Sequence, residues 1–422
     1  MMDPVIGVVT VGYVIFSSAV FYAFRSHHAA PHKWFLLFHG IMAVGTFRLL
    51  DANSAADQAH ILCYYLSLIA FTLGAFFGVY VFRPQVSSYK CAREASTYKE
   101  VTSIVVVWLF ILSLSISVLY FYLVGYNMLF LLLSGGVEDF STMRLETYAG
   151  ANYYAPGYIN QFKNVLLPVC GAVIVTQQFR AQSRRAWLTA AIVFAFVSMA
   201  LLGTGQRLYL VYAVLMVAFS LKLIYPLGNA KLSGAGALLI IPSAGGLFLL
   251  ITSAYAGQAG VTGWGVFLSS IERVFAVQQE GALIGFRHIY KLEVAWFGEW
   301  LVDLRGILPW HRGSTLAHEI HEIQFGTDRG TVPLSTVGSA YHNGGLIGVF
   351  CYFFLLASTY VYLYSRFISK PRSVERCFGY GALFVYLSTY VAGGPKSLVL
   401  NGVVALVLFL LLIRVRLQAQ RY

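Results

Sequence analysis

The chain has 422 residues, of which 58% are hydrophobic and only 11% are charged, and its formal net charge is +12. Its mean hydropathy is +0.70. Soluble globular domains carry about 25% charged residues, so this composition excludes the soluble classes and predicts an integral membrane protein.

Apolar runs long enough to cross a bilayer recur along the chain. A transmembrane helix needs about 20 mostly apolar residues to cross a hydrocarbon core of roughly 30 Å. The sequence therefore predicts an all-α polytopic protein with about 11 transmembrane helices in a single transmembrane domain, residues 1–422. The predicted spans are residues 4–24, 34–50, 60–82, 101–123, 158–177, 186–203, 208–224, 235–255, 345–364, 378–392 and 397–413.

Basic residues predict which helix ends face the cytoplasm. Short loops on one side hold 18 of the 29 Lys and Arg residues, and basic residues that flank a span are retained in the cytoplasm. The N-terminus is therefore expected in the periplasm and the C-terminus in the cytoplasm. This alternation places two large loops on the outer face, residues 125–157 and 256–344, and loops of that size usually carry function.

Several classes of protein are disfavoured. The first span lacks a small-residue cleavage site and is interpreted as a retained helix. The five cysteines suggest neither a disulfide framework nor a thiolate metal site. No phosphate-loop motif is present, which argues against a primary pump, and no basic soluble module suggests nucleic-acid binding. No cofactor is expected.

Arg207 follows the polar run Gly203-Thr204-Gly205-Gln206 within a long apolar stretch, residues 186–224. That stretch is too long for one crossing and suits two. Arg207 is therefore predicted to lie at a tight turn on the outer face. In the second outer loop, Phe267, Ile271, Val274 and Phe275 recur at helical spacing and predict a helix on the membrane surface.

The segment HEIHE, residues 318–322, suggests a zinc protease but does not fit one. The zincin pattern needs histidines four residues apart, and Glu322 stands where the second would be. No metal site is predicted. General base chemistry by His321, Glu322 or Asp328 is favoured over metal binding, and a solvated charged turn remains the alternative.

Ten basic residues lie on the predicted outer face, against the usual bias. Guanidinium groups bind phosphate oxygens in pairs and stay charged when partly desolvated, so a group of them suits a diphosphate. Each arginine taken alone could instead form a structural pair with a neighbouring carboxylate.

These features resemble those of the Wzy O-antigen and oligosaccharide repeat-unit polymerases, which share an overall architecture with O-antigen ligases. The resemblance rests on two arginine-rich outer loops, the turn at Arg207, and a P-x-S-x-x-G-x-x-Y-x-N-x-G-x-x-G entry to a late span. Arg287 and Gly298 also match the R-x10-G spacing described for loops of this family, whereas Arg144 departs from it. The entry motif comprises Pro333, Ser335, Gly338, Tyr341, Asn343, Gly345 and Gly348.

The resemblance implies a GT-C-like glycosyltransferase of the bacterial inner membrane. Its substrates would be undecaprenyl-diphosphate-linked oligosaccharides at the periplasmic face, and its products a lengthened glycan and free undecaprenyl diphosphate. Membrane lipid would be a further partner, and a chain-length regulator protein is left open. Under this hypothesis the base is His321, Glu322 or Asp328. The substrate-binding residues are Arg144, Arg207, Arg287, Arg305, Arg312, Arg329, Tyr341, Asn343 and Lys396.

Two alternatives of other classes stay open. An O-antigen ligase would use the same donor but transfer the glycan to lipid A core. A secondary transporter would instead need ionisable residues at mid-membrane and usually a repeated architecture. Arg48 and His39 are the evident candidates for such residues, and the sequence has no visible repeat.

Overall fold

The computed structural model describes residues 3–24, 29–82, 104–135, 140–148, 156–224, 245–246, 249, 252–253, 264–266, 268, 277–308, 313–327, 330–369 and 373–419. These residues form helices, together with an isolated antiparallel bridge between Ser335 and Ala392. The helices are α1 (Pro4–Ala23), α2 (Pro31–Phe47), α3 (Ala55–Phe82), α4 (Ile104–Val124), α5 (Met128–Ser134), α6 (Phe140–Tyr148), α7 (Pro156–Asn160), α8 (Leu167–Arg180), α9 (Ala186–Leu202), α10 (Leu208–Ile224), α11 (Gln278–Ile289), α12 (Gly298–Arg305), α13 (Leu316–Phe325), α14 (Thr336–Ile368), α15 (Val374–Ser388), α16 (Pro395–Leu398) and α17 (Val404–Ala419). Two π-helical turns, Gln161–Leu166 and Val399–Val403, precede α8 and α17.

The predicted all-helical membrane protein is confirmed in its broad class. Within the described residues, five helical stretches are long and apolar enough to cross a bilayer. They are Pro4–Ala23, Ala55–Phe82, Ile104–Val124, Gly157–Arg180 and Thr336–Ile368. The shorter apolar helices Ala186–Leu202, Leu208–Ile224 and Val404–Arg414 coincide with three more predicted spans. The full count of eleven stays a prediction, and most of the predicted span 235–255 lies outside the described residues.

The chain divides into two compact units. The first unit comprises residues 1–87, 268–369 and 387–398, and the second comprises residues 88–267, 370–386 and 399–422. Both units are therefore assembled from segments distant in sequence.

The core of the first unit is built on the close approach of α3 and α14. Gly74 and Gly78 of α3 lie directly against α14, where a Cβ atom at Gly74 would overlap the backbone of Phe354. Ser358 donates a hydrogen bond to the carbonyl oxygen of Gly74 at 3.0 Å. Small residues let two helix backbones approach in this way, so the pair packs along its length.

Helix α14 begins nine residues before the predicted span 345–364 and is broken near its start. The Ser335 side chain caps it by accepting a hydrogen bond from the backbone of Gly338. At Gly344 and Gly345 the backbone leaves the helical region, and Gly345 has φ +57°. The glycines that suggested the start of the span instead mark this break, because a glycine adopts positive φ without steric cost.

The second unit packs α8 and α9 beside α4. Gly171 of α8 lies against Val193 of α9 and Phe110 of α4. At one end of these helices a small hydrophobic cluster joins α5 to the turn between α9 and α10, through Met128, Leu129, Leu201, Leu202 and Leu210. This cluster positions the basic residues described below.

Candidate functional site

The predicted turn at Arg207 is confirmed, and its glycines have distinct roles. Helix α9 ends at Leu202 and α10 begins at Leu208. Gly205 has φ +72°, which lets the chain reverse. Gly203 accepts a hydrogen bond from the backbone of Met128 at 2.8 Å, and a Cβ atom there would collide with Phe121 and Asn127. The turn is thus held against the start of α5.

Arg207 is half-buried at the end of this turn. Its Nη1 donates a hydrogen bond to Oγ1 of Thr252 at 2.7 Å, within the same unit. An arginine has five N–H donors, and this contact uses one nitrogen of the guanidinium group. The hydrogen bond to Thr252 fixes the direction of the planar guanidinium group.

Helix α6 brings Arg144 to the same end of the second unit. Met143, its neighbour, packs against the cluster that contains Leu202 and Leu210. Tyr126 donates a hydrogen bond to the carbonyl oxygen of Met143 at 2.8 Å. These contacts attach α6 to the helix ends beside the Arg207 turn, and Arg144 is half-buried there.

Lys163 is a third basic residue at this end, and its burial was not predicted from sequence. It lies in the π-helical turn Gln161–Leu166 and is 2% exposed. Its Nζ is 3.4 Å from the carbonyl oxygen of Ala200, three residues before the Arg207 turn begins. It also lies 5.7 and 5.9 Å from the ring centroids of Tyr120 and Phe121. The sequence offered one indication of it, a lysine inside an apolar run. In the structure this segment is π-helical, and π-helical turns often occur at functional sites.

In the first unit, Arg287 forms a pair with a buried carboxylate. Its Nε and Nη2 donate hydrogen bonds of 2.8 and 2.6 Å to the two carboxylate oxygens of Asp57, which is fully buried. These hydrogen bonds raise the pKa of Arg287 above its ordinary value. The alternative stated for any single arginine, a structural ion pair, is therefore the arrangement found at Arg287.

Asn343 has a structural position at the break in α14. Its Oδ1 accepts a hydrogen bond from the backbone N–H of Trp300 in the first turn of α12, at 3.0 Å. Its Nδ2 donates to Oε2 of Glu299 at 2.9 Å and to the carbonyl oxygen of Ser339 at 3.0 Å. Asn343 is fully buried, so its side chain joins α12 to α14.

Two carboxyl groups of α12, Glu299 and Asp303, form a charged centre that the sequence reasoning did not assign. Asp303 accepts hydrogen bonds from Nζ of Lys396 at 2.9 Å and from the backbone N–H of Ser314 at 3.0 Å. Burial raises the pKa of Glu299, and the neighbouring Asp303 adds to this effect. Lys396, predicted to bind substrate, therefore neutralises Asp303. The spacing of four residues could have suggested the pair, but their shared environment depends on Asn343 and Lys396.

The other predicted site residues in the first unit are distributed around α13 and α14. Nδ1 of His321 lies 2.6 Å from the carbonyl oxygen of Thr327. Because a carbonyl oxygen only accepts hydrogen bonds, Nδ1 is the donor. The second ring nitrogen of His321 lies close to Gly330. Glu322 is exposed. Tyr341 is half-buried with its ring 5.0 Å from that of Phe286.

Arg305 is exposed at the end of α12. Asp328, Arg312 and Arg329 lie outside the described residues, as does most of the predicted surface helix 267–275. In the part of the chain that the structure describes, no group of three or more His, Cys, Asp and Glu side chains is arranged to hold a metal ion.

Comparison with known proteins identifies no relative, because no protein-family model, no curated protein and no solved structure matches the chain.

Proposed function

We propose that the protein is a membrane glycosyltransferase that polymerises lipid-diphosphate-linked oligosaccharide repeat units. The observation that carries this proposal is that the elements holding Arg144, Lys163 and Arg207 meet at one end of the second unit. A cluster of this kind suits a diphosphate anion.

The reaction would take place at the periplasmic face of a bacterial inner membrane. The donor is a growing glycan on undecaprenyl diphosphate, and the acceptor is one lipid-linked repeat unit. The acceptor hydroxyl oxygen attacks the anomeric carbon of the donor. The bond from that carbon to the diphosphate oxygen breaks, the diphosphate leaves with the bonding electrons, and the hydroxyl proton passes to a base.

The cations lower the barrier because negative charge develops on the leaving diphosphate. Donors already in place stabilise that charge more in the transition state than in the ground state. Arg207 has its direction fixed by Thr252, and Arg144 is held by the packing of α6. Lys163 is buried near Ala200 at the same end, and its charge would add to the positive potential there.

Within the first unit, Glu299 is the described carboxyl group whose own environment suits a general base. A base acts best when its pKa lies near the working pH, and burial raises the pKa of Glu299 in that direction. Nδ1 of His321 donates to the carbonyl oxygen of Thr327, and its second ring nitrogen lies close to Gly330. His321 remains an alternative base, together with Glu322 and Asp328.

A reconstitution experiment tests this function against its two alternatives. The full-length protein in liposomes is given undecaprenyl-diphosphate-linked repeat units as the sole substrate. The proposal predicts a ladder of longer glycans and release of free undecaprenyl diphosphate. A ligase would need added lipid A core to consume the donor, and a transporter would move substrate across the bilayer without forming a new glycosidic bond. Either result would reject the proposed polymerisation.

A further inference from the structure

Helix α12 has its polar and apolar faces reversed relative to a helix on the surface of a soluble protein. Its carboxyl groups, Glu299 and Asp303, are directed into the first unit, where they meet Asn343 and Lys396. The indole of Trp300 is also directed inward and donates a hydrogen bond to Ser339 at 2.9 Å. None of the residues of α12 is fully buried.

The outward surface of this region is apolar. Trp296 is 68% exposed and Leu301 is 54% exposed. We call this surface the α12 face, and it comprises Leu292, Trp296, Phe297, Leu301, Val302, Leu304 and Leu308. Within 17 residues, seven large apolar side chains are therefore exposed together, and exposed apolar surface of this kind marks an interaction site or a membrane contact.

Backbone hydrogen bonds hold the aromatic part of the α12 face in a strained conformation. Trp296 and Phe297 have φ values of +46° and +67°, a region that bulky side chains rarely adopt. Such strained residues persist only where neighbouring structure enforces them. Here the backbone N–H of Ala295 donates a 2.8 Å hydrogen bond to the carbonyl oxygen of His342. The backbone N–H of Phe297 donates another of 2.8 Å to the carbonyl oxygen of Asn343, at the break in α14.

The charged residues beside the α12 face are mostly basic. Lys291 precedes the face, Glu293 follows its first residue and Arg305 ends α12, and all three are exposed. Long basic side chains can keep their charge in the headgroup region while their stems follow apolar surface. Tryptophan and leucine beside such residues are typical of helices that lie within a membrane interface.

We propose that the α12 face lies in the lipid bilayer, so that this part of the predicted outer loop 256–344 is embedded in one leaflet. Helix α3 of the same unit, which is long and apolar enough to cross a bilayer, likewise exposes Leu62 and Leu73. The partner of the α12 face is bulk membrane lipid. The proposal concerns the depth of α12 and does not depend on the proposed enzymatic activity.

Fluorescence quenching in vesicles tests this placement. The full-length chain, with Cys91 and Cys351 replaced by serine, carries a bimane label at Leu301→Cys and is reconstituted in phosphatidylethanolamine and phosphatidylglycerol. Leu73→Cys within α3 provides the lipid-facing control, and Glu322→Cys on α13 provides the aqueous control. Each label is exposed to lipid with a nitroxide on the acyl chain and, separately, to iodide in the buffer.

We expect the label at position 301 to behave like the one at position 73, with several-fold stronger quenching by the nitroxide lipid than the label at position 322 shows. Iodide should give the opposite order. Quenching of position 301 by iodide at the level of position 322 would place α12 in water and overturn the proposal. Protection from both quenchers would show that protein covers the face, which would also overturn it. Each variant is first required to elute as a monodisperse species, so that misfolded protein is not scored.

Discussion

Arg287 of α11 binds both carboxylate oxygens of Asp57 of α3, at 2.8 and 2.6 Å, although the two residues are 230 positions apart in the sequence. Asp57 also accepts a hydrogen bond from the backbone N–H of Asp51 at 2.8 Å. The pair thus joins a helix of the second outer loop to the start of a predicted span.

Loss of Arg287 should destabilise the first unit. Arg287→Met leaves the fully buried Asp57 without its cation, and we expect a cost of about 2–3 kcal/mol. This cost in folding free energy is lower than for a fully buried pair because the guanidinium group of Arg287 is 41% exposed and partly screened by water. Thermal unfolding in detergent measures the effect, and Arg287→Met combined with Asp57→Asn should recover part of the loss. A variant as stable as the wild type would contradict the structural role.

Asn343→Ala should loosen α12 from α14. The substitution removes hydrogen bonds to the backbone of Trp300, to Glu299 and to Ser339, and it leaves buried partners unsatisfied. We expect a loss of about 2–4 kcal/mol. Hydrogen exchange should increase in α12 more than in α13, which Asn343 does not contact through these bonds. Equal exchange in both helices would mean that Asn343 is not the link.

The stability contributed by Glu299 should depend on pH. Its pKa is raised in the folded protein because burial disfavours the charged form. The favourable contribution is therefore complete below the unfolded pKa of 4.5 and is lost as the pH rises through the folded pKa. Relative to Glu299→Gln, the wild type should become less stable as the pH is raised above about 4.5. Melting temperatures across this range measure the difference, and exposed Glu322→Gln on α13 serves as the matched control. A constant offset between wild type and Glu299→Gln would contradict the raised pKa.

Lys163→Met should separate function from stability. Replacement of a buried charge by an apolar side chain of similar length is often neutral or stabilising by about 1–4 kcal/mol. If Lys163 strengthens the anion site, the same variant should elongate glycans about tenfold more slowly while melting no earlier than the wild type. The control is Lys222→Met, an exposed lysine in the last turn of α10. Loss of stability with unchanged specific activity would assign Lys163 to the fold alone.

The sequence predicted features that depend on composition and local chemistry. The turn at Arg207 could be predicted because an apolar stretch too long for one crossing contained two glycines and a charge. The helical class followed from the apolar runs. The early start of α14 was not predicted, because its polar first turns are stabilised by the Ser335 cap and by contacts from α12 rather than by apolar periodicity.

The candidate site was predictable as a set of residue types but not as an arrangement. The sequence identified Arg144 and Arg207, but the packing of Met143 against the cluster between α5 and the α9–α10 turn is what brings their elements to the same end. It also grouped Arg287 with them, whereas a carboxylate far away in sequence binds that side chain. Long-range pairing of this kind has no local signal, since it depends on which helices meet.

Arg207 is proposed to stabilise the leaving diphosphate. The elongation rate of purified Arg207→Ala, with undecaprenyl-diphosphate-linked repeat units as substrate, tests this role. The matched control is Arg185→Ala, an exposed arginine at the opposite end of α9. Loss of one preplaced donor typically lowers kcat about a hundredfold or more. We expect that loss for Arg207→Ala and the wild-type rate for Arg185→Ala, and a cooperative thermal transition shows that each variant is folded. Arg207→Lys should recover part of the rate, since it restores the charge without the paired donors. An Arg207→Ala variant that elongates glycans at the wild-type rate would show that Arg207 does not stabilise the leaving diphosphate.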